Sequence, residues 1–444
     1  MGPLLVYSAF GIICLGALAR PAIGAIGYIG FVAFTPQWLW RFQLDSTFPF
    51  QKWIAACLLV GWLISFFRTK NLGRNTLIPL ASLVTVLILG HLSAATSYAP
   101  EKTEFFLRQF NKIVLITCVV SLVISTKKSL YAALVVMAAG VTFNAFEINA
   151  DYYRQGFSTV NQDGWSQMNA NGYALLMQTA TLISFALAQQ SRSNLRTSFW
   201  LLCALINAHA IMIVESRGAM LGLLFAGFLH LIFMRRTSKN LTLTFCIIVG
   251  GLLIAGPPVI KEFASIFAEK LDSSGESRYY IWDAGLRITM DYPLLGVGPW
   301  AGEVLVPAYY EGSTKAGQQI IALHNLELEV STGMGIPAML AYLLFYFWPW
   351  NQARKLLWKQ RTDLASEESA VVSGIFLAIP AYWVASQFNS GALVEIPYLM
   401  VAILIAKLVQ EEHAGAFRKP EKARRETQEE HITGYEQPAL SIDA

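Results

Sequence analysis

Of 444 residues, 55% are hydrophobic and only 14% charged, with a net charge of +4. An average soluble domain carries about 25% charged residues, so an ordinary soluble enzyme is excluded, and the small basic excess makes no case for a nucleic-acid partner. The apolar residues run continuously rather than alternating, and many runs reach the roughly 18–20 residues that cross a bilayer as a helix.

In chain order the predicted spans are 4–19, 21–39, 51–67, 76–93, 111–125, 129–147, 172–189, 197–214, 218–234, 241–257, 328–349, 369–387 and 392–408. The expectation is an all-α polytopic membrane protein with 12 or 13 transmembrane helices, the lower count if the first two runs make one re-entrant hairpin. Arg20-Pro21 suits a tight break between those two runs. The N-terminus lacks the basic flank and small-residue cleavage site of a signal peptide, so the first run reads as a retained span. Residues 1–150 form an N-terminal helical region, 151–409 the candidate catalytic region, and 410–444, with RKPEKARRETQEE, a disordered tail. Cys14, Cys57, Cys118, Cys203 and Cys246 all lie in apolar runs without CxxC or Cys/His spacing, which argues against both a disulfide framework and a zinc site.

The basic links RTKNLGR (68–74), STKKS (125–129), QSRSNLR (190–196), MRRTSK (234–239) and NQARKLLWKQR (351–361) follow alternate spans. They share one membrane face, which the positive-inside rule makes cytoplasmic. The long connections 94–110, 148–171 and 258–327 then face outward, the last expected to be partly helical.

Three outward stretches carry candidate chemistry. In VESRGAMLGLL (214–224) a possible Ser216 cap precedes Arg217 where a span begins. Free N–H groups and a guanidinium there suit an anion; the competing reading is an arginine snorkelling to headgroups. In GESRYYIWDAGLRITMDYPLLGVGPW (275–300), Ser277 is expected to cap a short helix that stops before Pro293, with Gly296 and Gly298 in the exit turn. Helical spacing sets Arg278, Trp282, Leu286 and Met290 on one face and turns Arg287 away. A bland amphipathic surface helix explains Trp282 but gives Arg278 no work.

The third stretch is LHNLELE (323–329). If helical, it puts His324, Glu327 and Leu328 on one face and Asn325 with Glu329 beside them. A His/Glu pair at i,i+3 is too few ligands for a metal, and no HExxH or DxD pattern occurs in the chain. A histidine acting as general base is the simpler use; a helix-end histidine at headgroup level is the bland one. Asn169 and Asn171, with Arg154 upstream, read as sugar contacts or as helix-cap residues. His91, His209, His230, His413, His431 and Glu395 are weaker candidates.

Taken together, ESRGAMLGLL, SRYYIW…YPLLGVGP and ALHNLELEVSTGMGIP, in this order across about residues 160–350, resemble the bacterial O-antigen ligase and polymerase superfamily, including ligase-like proteins of protein O-glycosylation systems. The resemblance implies a GT-C-like, metal-independent, inverting glycosyltransferase without a cofactor, at the outer face of the bacterial inner membrane. It implies an undecaprenyl-diphosphate-linked glycan donor and an acceptor that is lipid A core, a protein or a growing glycan. Carried over by motif, Arg217 and Arg278 would bind the diphosphate and His324 would take the acceptor proton. Asn325, Glu327, Trp282, Arg154, Asn169 and Asn171 stand as the accompanying substrate contacts. A repeat-unit polymerase is the near alternative. A flippase or transporter is the alternative of another class, to be told apart by ionisable groups near the midplane.

Overall fold

The computed structural model describes residues 2–45, 47–67, 71–166, 168–234, 237–254, 273–311, 319–359 and 369–417. The described residues fold into helices joined by short turns, with a single isolated bridge between Trp165 and Met168 in place of any sheet. The first group is α1 (Gly2–Ala19), α2 (Pro21–Phe34), α3 (Pro36–Leu39), α4 (Phe50–Ile64), α5 (Arg74–Ala94), α6 (Pro100–Val123) and α7 (Lys127–Gln155). The second is α8 (Val160–Asp163), α9 (Ala170–Gln190), α10 (Asn194–Ile213), α11 (Arg217–Phe233) and α12 (Ser238–Ile254). The last is α13 (Ser273–Asp291), α14 (Gly302–Tyr309), α15 (Leu326–Lys359), α16 (Ser369–Ser386) and α17 (Glu395–His413). Among the described residues eight helices are long and apolar enough to cross a membrane, and each of the thirteen predicted runs falls on a helix. This is an all-α polytopic membrane protein.

Hydrocarbon offers helices no hydrophobic reason to associate, so small residues that let backbones approach do much of the packing. Gly24 and Gly61 seat α2 and α4 against Ala17 of α1, Gly140 seats α7 against Ala33, and Gly374 seats α16 against Ala186 of α9. The centre of the bundle is α9, α16 and α17, which are buried along nearly their whole length. α1, by contrast, buries only Val6 and Ala17.

Several predicted boundaries move. α6 begins at Pro100 and α7 runs on to Gln155, so the connections expected at 94–110 and 148–171 are shorter than hydropathy suggested. Hydropathy ends a span where charge begins, whereas a helix continues past the hydrocarbon while its backbone bonds hold. Pro100 at the first position with Glu101 in the first turn makes such a start. α17 extends to His413, past the expected start of the tail at 410. Glu412 accepts from the Arg74 and Asn75 amides at 3.1 Å each, capping α5, and His413 bonds to the Leu72 carbonyl. The rest of the predicted tail (418–444), the loop residues 255–272 and 312–318, and parts of the basic links (68–70, 235–236, 360–361) lie outside the described residues.

α15 is broken at Gly335 (φ 83, ψ 170). The stretch YPLLGVGPW docks into the break. Val297 N–H donates to Thr332 O (2.9 Å), Gly298 N–H and Ser93 Oγ donate to Gly333 O (3.0 and 2.7 Å), and Ile336 N–H donates to Pro293 O (2.8 Å). Carbonyls orphaned by the break, costly if left unpaired in a buried setting, are thus satisfied by a loop from distant sequence. Gly296 (φ 66) lets it approach: a Cβ there would lie 2.5 Å from Gly333 C and 2.6 Å from Met334 N.

Candidate functional site

Where the start of α11 meets α9, α13 and the end of α16, the helices leave a cavity of about 170 Å³. Asn171, Glu215, Arg217, Arg278, Phe388 and Asn389 are among its walls. Arg217 and Arg278, 61 positions apart in sequence, thus serve one space.

Arg217 is fixed by a tight reversal between α10 and α11, where Glu215 takes a left-handed conformation (φ 54) and its N–H bonds to Met212 O. Ser216 occupies the N-cap position as predicted, but its side chain makes no capping bond. The positive end of the α11 dipole lies beside the cavity, which Ser216, Arg217 and Gly218 line. Gly218 allows this turn to press on Ala385 and Phe388 of the α16 end.

Arg278 comes from α13, whose start at Ser273 puts Ser277 inside the helix rather than at its cap. The buried face of α13 is Ile281, Ala284, Gly285 and Ile288, while Leu286 and Met290 are exposed. The predicted Arg278–Met290 face therefore holds only for its first two members. Each four-residue step overshoots a turn by about 40° at 3.6 residues per turn, and three such steps carry Met290 well away from Arg278. Arg287 points elsewhere as expected, paired with Asp283 (2.8 Å) and with Glu311.

His324 lies just before α15 rather than on it, with a left-handed backbone (φ 48). That conformation is uncommon outside glycine and is found where surroundings impose it. Here the surroundings are specific. Asn325 caps α15 by accepting from the Leu328 N–H (3.0 Å) and donates to Gln387 Oε1 (3.1 Å). On the other side, Trp282 Nε1 donates to Leu323 O (3.1 Å). Glu327 accepts from Trp383 Nε1 (2.8 Å), and Glu329 accepts from Trp300. Burial lowers the pKa of His324 below the ordinary histidine value, and the Arg278 charge lowers it further against a smaller opposing pull from Glu303. A neutral, proton-accepting imidazole is the result at neutral pH.

The structure sorts the remaining predicted contacts. Asn171 lines the cavity. Its neighbour Asn169 is an exposed cap, accepting from the Gly172 N–H at 2.7 Å, and Arg154 is exposed at the end of α7, away from the cavity walls. Trp282, Asn325 and Glu327 brace the His324 loop, and neither they nor His324 itself are among the cavity walls. Sequence reading missed Glu215 and Asn389. The available signals were Glu215 inside VESRGAMLGLL and QFNS (387–390), a polar turn between two apolar runs.

Among weaker candidates, His91 bonds to Asn111, His209 to Asn149, and His230 to Gln189 and Thr244. Glu395 accepts from Tyr28. All four are thus engaged away from the cavity. Among the described residues no group of three or more His, Cys, Asp or Glu is placed to hold a metal.

Residues 202–343 match the family model described as O-antigen ligase. The match covers 142 of the 444 residues and supports the resemblance to the O-antigen ligase and polymerase superfamily. The O-antigen ligase segment runs from α10 into α15 and contains Arg217, Arg278 and His324, whereas Asn171 and Asn389 lie outside it. No curated protein matches the chain.

Proposed function

We propose that this membrane enzyme transfers a glycan from undecaprenyl diphosphate to a hydroxyl of lipid A core or of a protein, at the outer face of the inner membrane, without a metal. The observation that carries the reading is the shared wall of Arg217 and Arg278, with His324 in electrostatic reach of the second. The leaving group is an anionic diphosphate anchored by its lipid. Two guanidiniums and an uncapped helix start suit it, because forked, permanently charged donors grip phosphate oxygens.

As the bond from the sugar C1 to the diphosphate oxygen breaks, negative charge grows on that oxygen, where the two arginines stabilise it. The acceptor oxygen forms the new bond to C1 from the opposite side, inverting the anomeric centre. Its proton passes to the imidazole of His324 and then to water. Arg278 serves both partners, holding the leaving group and keeping His324 unprotonated. Supporting this division of labour, the residues on either side of His324 are tied down, Leu323 by Trp282 and Asn325 by Gln387, which holds its strained backbone.

Reconstitution in liposomes with a lipid-linked glycan and a candidate acceptor tests the reading. Transfer is expected with wild type in the presence of chelator and with the control Arg287→Ala. It is expected to disappear with Arg217→Ala, Arg278→Ala and His324→Ala. Undiminished transfer in these three would assign the chemistry elsewhere. Movement of the lipid-linked glycan across the bilayer without transfer would favour a transporter.

A further inference from the structure

Asn389 lies in the turn between α16 and α17, is 3% exposed, and is a cavity wall with Arg217 and Arg278. Its Nδ2 is buried without a hydrogen-bond partner. A Cβ added at Gly172, one residue from Asn171, would lie 3.9 Å from that nitrogen, which places it at the start of α9. Buried amide groups are ordinarily bonded, so an orphan donor at the wall of a cavity points to an acceptor that arrives with a ligand. The neighbouring side chains narrow the chemistry: two guanidiniums share the wall with one carboxylate, Glu215, so the lining is net positive, and a ligand meeting both guanidiniums and the amide brings several acceptor oxygens, as an anion does.

We infer that Asn389 is a further ligand for the donor's diphosphate, contributed by a turn outside the O-antigen ligase segment; the inference rests on the function proposed above. The same turn supplies Gln387, which accepts from Asn325 beside His324. The α16–α17 turn therefore touches both halves of the reaction: one residue binds the leaving group and its neighbour positions the base. A small change in this turn would alter donor affinity and acceptor activation together, although it lies far in sequence from either motif.

Binding of glycan-free undecaprenyl diphosphate to the purified full-length protein in detergent tests the assignment. Loss of one hydrogen bond to a charged acceptor corresponds to about 10- to 100-fold in affinity. Asn389→Ala is expected to bind at least about tenfold more weakly. Asn389→Asp, nearly the same shape but with an acceptor in place of the donor, is expected to bind more weakly still. Thermal unfolding of both should stay close to wild type, since no protein partner is lost. Wild-type binding by both variants would overturn the assignment. So would a defect seen only with glycan-linked lipid, which would make Asn389 a sugar contact. If wild type itself fails to bind the lipid, it is the proposed function that falls, a separately readable outcome.

Discussion

Replacing Asn325 by alanine should disable the enzyme without touching a group that meets substrate. The strain to be held is the left-handed backbone of His324 at φ 48, which costs an ordinary residue about 1–2 kcal/mol. Against it, Asn325 supplies a helix cap through the 3.0 Å bond from the Leu328 N–H, and a second bond to Gln387 at 3.1 Å. A cap contributes about 1 kcal/mol, and a buried hydrogen bond about as much. The alanine variant therefore loses about 2 kcal/mol of restraint, comparable to the strain, and His324 is free to relax toward an ordinary backbone conformation. If the relaxed form is inactive, kcat falls by up to about 30-fold, while donor KM changes little because Arg217 and Arg278 remain. Asn325→Asp retains the cap but sets a carboxylate against Gln387 Oε1, and should fall between the two. Steady-state transfer kinetics in liposomes, with thermal unfolding of each variant, provide the readout. Wild-type kcat in Asn325→Ala would refute the idea that this residue holds the base in its strained position.

Two further outcomes are expected. His324 accepts a proton only when neutral, so kcat/KM should fall as pH drops through its pKa, and burial and Arg278 set that limb below the ordinary value of 6.5. Bound diphosphate offsets the Arg278 charge, so the kcat limb should lie at higher pH than the kcat/KM limb. Arg278→Gln should raise the kcat/KM limb in its residual activity. An acid limb above the ordinary histidine value in free wild-type enzyme would contradict the assignment. For Gly296→Ala, the new Cβ meets Gly333 C at 2.5 Å in a left-handed residue. Backbone strain and the loosening of the Val297 and Gly298 bonds should together cost about 3 kcal/mol. That loss should appear as a lower unfolding temperature in detergent, and an unchanged temperature would show that the docked loop contributes nothing to holding α15.

The amino-acid sequence by itself determined the class of fold and the identity of the charged groups. Long apolar runs leave a helix as the only way to satisfy their backbones in lipid, so the helices themselves were legible, and each of the thirteen predicted runs falls on one. Arg217 and Arg278 were legible as candidates, because charged groups at span entrances need an explanation that packing does not supply, and both line the cavity; His324 was legible as a candidate but is not one of the cavity's walls. Local spacing failed where partners are remote. It could not show that Trp282, Asn325 and Glu327 bond to Leu323, Gln387 and Trp383 around the His324 loop. It left open whether LHNLELE is helical throughout; the cap at Asn325 starts the helix after His324. The break in α15, its repair by Gly296–Gly298 and the orphan amide of Asn389 were decided only in three dimensions. An unpaired carbonyl or amide is defined by what stands opposite it, and for these groups that is a segment distant in the chain.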